Sequence, residues 1–145
     1  MSVSVRSFLA VLLLCLMGTI SARAEPAAPT KDSRAFTIVI EGQIATFARD
    51  DAGAAFALAS PDIRSRFMNA ERFMQMVRSS FQPVYRPRTY SFGDPAQVEG
   101  IPVQPVQVIG PDGRGEVLLY RMERQSDGSW RIAGVTLHPT GERGI

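Results

Sequence analysis

The 145-residue chain has one cysteine, one histidine, one tryptophan and one lysine, and these scarcities remove whole classes of chemistry. Cys15 sits inside an apolar run at 8–17 (FLAVLLLCLM), so no cysteine follows residue 24. A disulfide, a thiolate nucleophile and a cysteine metal ligand are excluded there. His138 alone leaves no set of three or four nitrogen and sulfur ligands of the kind zinc takes. Charge of one sign is lacking as well. The chain carries 16 Lys+Arg against 14 Asp+Glu, and Arg6 and Arg23 both precede residue 25, so 14 of each sign remain beyond it. A neutral domain without clustered aromatics has no electrostatic footprint for nucleic acid. No phosphate-cradling glycine loop, metal set or catalytic triad is present, and no cofactor is implied.

What is there begins with a processing signal. Arg6, the ten-residue apolar run and the small residues of Ala22-Arg23-Ala24 have the order of a secretion signal cleaved after Ala24. A spanning helix needs roughly 20 apolar residues, so no stable membrane anchor is expected. The expected organisation is a signal at 1–24, a Pro- and Ala-rich flexible leader at 25–33, one domain at 34–138 and a tail at 139–145. The expected location is secreted or periplasmic.

Helical spacing opens the domain. Phe36, Val39, Ile40, Gln43, Ile44 and Phe47 form one stripe, with Glu41, Thr46 and Arg49 facing away and Ser33 as the N-cap. Asp50 and Asp51 read as caps, with a short helix following at 52–59. Ser60-Pro61 opens another turn ending near Phe67, and Asn69 caps a helix whose Phe73, Met76, Val77 and Phe81 share a face. Met74, off that stripe, is a candidate for exposed contact. After Pro83 the period becomes two. Strands are expected at 88–92, 101–109, 116–124 and 130–137, separated by the turns Pro111-Asp112-Gly113 and Ser126-Asp127-Gly128. The apolar parity slips at Pro105 and at Gly134, two candidate β-bulges. Three to four helices followed by four antiparallel strands make an α+β fold with the sheet packed on the helices.

This order resembles the cone-shaped α+β barrel of the nuclear transport factor 2-like (SnoaL-like) superfamily, and DGSWRI at 127–132 is similar to the turn-Trp-x-Ile opening of its last strands. Four segments, IEGQI at 40–44, AFALASP at 55–61, ERFM at 71–74 and PVYRPR at 83–88, resemble exported bacterial proteins of domain-of-unknown-function family 4864. The resemblance implies a strongly bent sheet over a hollow and is silent on chemistry. Some members of the wider superfamily pair a carboxylate with a tyrosine, and likeness to those implies Glu116 with Tyr120 or Tyr90 for an isomerase- or dehydratase-type enzyme.

From the residues themselves, His138 is a general base or a solvated end residue, and Glu116 is a pocket carboxylate or a wet strand end. Tyr85, Arg86 and Arg88, stiffened by Pro83 and Pro87 and with Arg78 nearby, either hold an anionic group or form a structural corner. Tyr90, Phe92, Leu118, Tyr120 and Trp130 are the expected pocket lining. The leading expectation is a non-catalytic module that binds a small apolar molecule or a protein partner, with a homodimer through the sheet as a further possibility. Mass spectrometry of the full chain expressed in a secretion-competent bacterium should find a product beginning at Glu25; a product retaining residues 1–24 would overturn the signal reading.

Overall fold

The computed structural model describes residues 30–143. The secretion signal with its cleavage site, the leader up to residue 29 and the last two residues lie outside them. Five helices come first: α1 (Lys31–Ala48), α2 (Ala52–Ala57), α3 (Pro61–Phe67), α4 (Ala70–Ser80) and α5 (Gln82–Tyr85). Side chains cap four of them. Thr30 Oγ1 accepts from Ser33 N at 3.1 Å, Asp51 Oδ1 from Ala54 N at 3.0 Å, Ser60 Oγ from Ile63 N at 3.4 Å and Asn69 Oδ1 from Arg72 N at 3.0 Å. The N-cap of α1 is therefore Thr30 and not Ser33, whose hydroxyl instead donates to Thr30 O at 3.0 Å within the first turn. Residues 31–33 belong to the helix, so the expected leader is shorter by three residues.

Five antiparallel strands form one sheet: β1 (Thr89–Phe92), β2 (Ala96–Val98), β3 (Ile101–Ile109), β4 (Arg114–Arg124) and β5 (Trp130–Arg143). The order is β1-β3-β4-β5, with β2 beside the first part of β3 and β1 beside its second part. Three residues with a single large apolar side chain, Val98, are too short a run to have signalled β2. It forms because Glu99 (φ 51°) and Gly100 (φ 78°) make a two-residue hairpin turn of the primed kind, whose twist matches paired strands. β5 runs on to Arg143, taking residues expected in a tail into the ladder.

The two parity slips have different outcomes. No bulge occurs at Pro105: β3 and β4 stay in register from Val103↔Arg121 to Ile109↔Gly115. Val103 thus faces away from Val106 and Val108, and Gln104 joins their row. The carbonyl of Pro105 accepts from Gly93 N at 3.0 Å, between β1 and β2. Its nitrogen points to that same gap, where no ladder bond is lost. The second slip is a bulge. Arg121 pairs with Gly134 but Met122 pairs with Ile132, leaving Ala133 as the extra residue. Trp130, Ile132, Val135 and Leu137 consequently all pack on one core.

That core joins Phe36, Ile40, Ile44 and Phe47 of α1 and Phe73, Met74 and Val77 of α4 to Val106, Val108, Leu118, Tyr120 and Ile132 of the sheet. Met74 is 0% exposed, contrary to its expected surface position, and Thr46 is also buried. α4 touches α2, α3 and α5, so its covered arc is wider than the stripe read from spacing. The junction of α2 and α3 is tied to β5 by Ser60 N→Ile132 O at 2.9 Å and Ile132 N→Leu58 O at 3.0 Å. Met74→Ala should cost about 2–5 kcal/mol in urea denaturation. Ile38→Ala, at a position 68% exposed, should change stability by less than about 0.5 kcal/mol.

Candidate functional site

Between the helices and the sheet lies a cavity of about 310 Å³, at the lower end of small-molecule sites. Phe47, Phe67, Phe73 and Phe81 supply its aromatic wall, and Val77, Val84 and Ile132 its aliphatic one. Phe73 holds the wall together, with ring centroids 6.4 Å from Phe47, 5.6 Å from Phe56 and 5.7 Å from Phe67. One end is closed by buried Gln43, Phe47, Val77 and Tyr120; the other carries exposed Arg66, Arg121 and Thr136 and is the mouth.

The closed end has two polar side chains. Gln43 Nε2 donates to Ala55 O at 3.4 Å. Tyr120 is 0% exposed and its hydroxyl has no hydrogen-bond partner. Burial pushes its phenol well up from the ordinary 10.0, so it is a neutral donor at any physiological pH. An unpaired buried hydroxyl costs free energy unless something arrives to accept from it.

A second arrangement lies where α1, α4 and α5 meet. Asp50, at φ 55° just after α1, receives Arg86 Nη2 on Oδ2 at 2.9 Å and Arg78 Nη2 on Oδ1 at 3.3 Å, and the Tyr85 hydroxyl also donates to Oδ1. The Arg86 guanidinium stacks 3.9 Å from the Tyr85 ring centroid. Asp50 is therefore no helix cap, whereas Asp51 is one. The hydrogen bond from Tyr85, helped by Arg78 and Arg86, holds the Asp50 carboxyl below the ordinary 3.8 against the opposing effect of partial burial. The carboxylate that Tyr85 and Arg86 grip is the protein's own.

The family described as Domain of unknown function (DUF4864) matches residues 29–145. The chain belongs to that family. No curated protein and no solved structure matches it. In this DUF4864 chain the four segments that carry the resemblance fall on α1, on the α2–α3 junction, on the first turn of α4 and on α5 with the approach to β1.

Of the expected lining residues only Tyr120 reaches the cavity. Leu118 is sealed in the core, and Phe92 packs at its edge. Tyr90 is 39% exposed with its ring edge-on to Phe92, and Trp130 stands edge-on to Phe36 at 4.7 Å. Arg88 donates to Pro111 O at 2.7 Å, pinning the β3–β4 turn. His138 is exposed and pairs with Val117. Glu116 shares a strand face with Tyr120 but lies four residues away, about 13 Å along a strand, and neither its Oε2 nor the Tyr120 hydroxyl has a partner. Among the described residues no three His, Cys, Asp or Glu side chains gather to hold a metal ion. The lining residues that pattern reading missed, such as Phe67, Phe81 and Arg121, sit at helix ends or on the outward parity of a strand. Gln43 alone left a trace, as a polar residue inside the apolar stripe of α1.

A depressed folded-state pKa contributes stability that is fully present above the unfolded value and is lost as pH falls through the folded one. Asp50→Asn should thus lower stability by a constant amount between pH 7 and 5, the gap from wild type closing below about pH 4. Urea melts from pH 7 downward measure it; a gap that does not narrow at all as pH falls below about 4 would contradict the ion-paired corner.

Proposed function

We propose that this DUF4864 protein is an exported, non-catalytic module of the nuclear transport factor 2-like, cone-shaped kind that holds a small apolar molecule between its helices and its sheet. The observation that carries the reading is the cavity of about 310 Å³, walled mainly by apolar side chains, with Tyr120, whose buried hydroxyl has no partner, among its lining residues. Apolar walls supply affinity through area removed from water, and one polar group in a dry site supplies orientation. Helices before strands, and a bulge in the last strand that increases local twist, support the cone architecture. The signal-like segment at 1–24 supports a secreted or periplasmic location.

The rival reading, a cofactor-independent isomerase or dehydratase using Glu116 with Tyr120 or Tyr90, needs both groups on one substrate atom. The spacing on β4 does not favour Tyr120, whereas Tyr90 and Glu116 flank Val108 in one row and line a common groove, which supports the Tyr90 form of it. A homodimer through the sheet draws support from Val117 and Leu119, half-buried on the face away from the helices, and from exposed Val98 and Ile101 near one edge.

Native mass spectrometry of protein purified from its own host should show a bound small molecule, and Val77→Trp, which fills the cavity, should remove it. Tyr120→Phe should stabilise the ligand-free protein by about 1 kcal/mol while weakening ligand retention. Loss of stability in Tyr120→Phe together with an empty cavity in the native protein would overturn the reading.

A further inference from the structure

The charge around the cavity points to the class of ligand, an inference that rests on the binding reading above. Both charged side chains that line the cavity are arginines, Arg66 and Arg121, and no carboxylate lines it. They differ in how far they are already satisfied. Arg66 Nε pairs with Asp62 Oδ2 at 3.0 Å, so much of its charge is met within α3. Arg121 makes one hydrogen bond among the described residues, from Nη2 to Ala133 O at 3.3 Å, and no carboxylate there lies within ion-pair distance of it. Its guanidinium keeps most of its donors for something else.

Its position depends on the neighbouring strand. Arg121 is directly opposite Gly134, and a Cβ added at Gly134 would fall 2.5 Å from Arg121 Nη2 and 2.8 Å from Nε. Only a residue without a side chain leaves the room through which the guanidinium crosses β5 to the mouth. No positive φ requires glycine at this position; a Cβ here would displace the flexible end of Arg121 from its place across β5. The Ala133 bulge places that glycine opposite Arg121.

We infer that the ligand is a small amphipathic anion, its apolar body among the phenylalanines and its anionic head at Arg121, with Arg66 as a secondary cation. Carboxylate, sulfonate and phosphate heads share the chemistry a guanidinium reads. The arrangement makes Arg121 a specificity-determining residue and Gly134 the residue that positions it.

Two fluorescent probes sharing one ring skeleton test this: 8-anilinonaphthalene-1-sulfonate, and N-phenyl-1-naphthylamine, which lacks the sulfonate. The purified protein should bind the sulfonate roughly tenfold more tightly than the neutral amine, the size of one charge-assisted pair in a partly dry site. Arg121→Gln and Gly134→Ala should each cut that preference to within about threefold, chiefly by weakening the sulfonate. The glycine variant keeps the charge and only displaces it, so its effect cannot come from net charge. Val77→Trp, or Ile63→Trp at the half-buried rim should the first variant fail to fold, should weaken both probes. If neither probe binds wild type, the cavity reading itself fails. If both bind equally and Arg121→Gln changes neither, the inference fails while the cavity reading stands. Sulfonate binding that survives the cavity-filling variants would place the anion elsewhere on the surface and overturn the inference.

Discussion

The sheet can present one continuous apolar face to the helices only because β5 carries one more residue than β4 between Ile132 and Gly134. Without Ala133 as the extra residue, alternation would send Val135 and Leu137 to the side opposite Trp130 and Ile132, and half the strand would turn its apolar side chains to water. Inserting one residue costs a ladder bond and returns a common face. The same insertion sets Gly134 against Arg121 and gives that arginine its path to the cavity mouth. Core formation and the chemistry of the mouth thus follow from a single register shift. Just before the bulge, the backbone of Ile132 is also held by residues 58 and 60, so the helical layer is fastened to the sheet where the shift occurs.

Asp50 performs a comparable service at the other side of the helical layer. Its carboxylate draws together Arg78 of α4 and Tyr85 and Arg86 around the end of α5, and its left-handed backbone turns the chain out of α1. The group is half exposed, so its value lies in geometry more than in net energy. It fixes the angle between α1 and the segment entering β1. A tyrosine, two arginines and a carboxylate at one corner resemble a binding site in composition, yet each is already spoken for.

The cavity wall is the opposite case. Tyr120 stands where phenylalanine would bury the same ring without leaving a hydroxyl unpaired. A fold selected for stability alone has no use for that group. Tyr120 lines the same cavity as phenylalanines that are locked to one another through Phe73.

Local periodicity by itself determined the α+β class, helices before strands with Asp51, Ser60 and Asn69 as caps, four of the five strands and the bulge at Gly134, because each is written in spacings of two, three or four residues. It placed Tyr120 on an inward face and Asp51 as a cap for the same reason. Tertiary structure alone decided the rest. Asp50 meets Tyr85 across 35 residues, Arg121 crosses Gly134 only once β4 and β5 are paired, and Met74 is buried because three other helices surround α4. β2 was invisible because a three-residue strand borrows its order from β3. A hollow is bounded by elements distant in sequence, so spacing could nominate Tyr120, but only the packed chain could show that Tyr120 is a cavity-lining residue while Leu118, two residues away on the same face, lies wholly within the core.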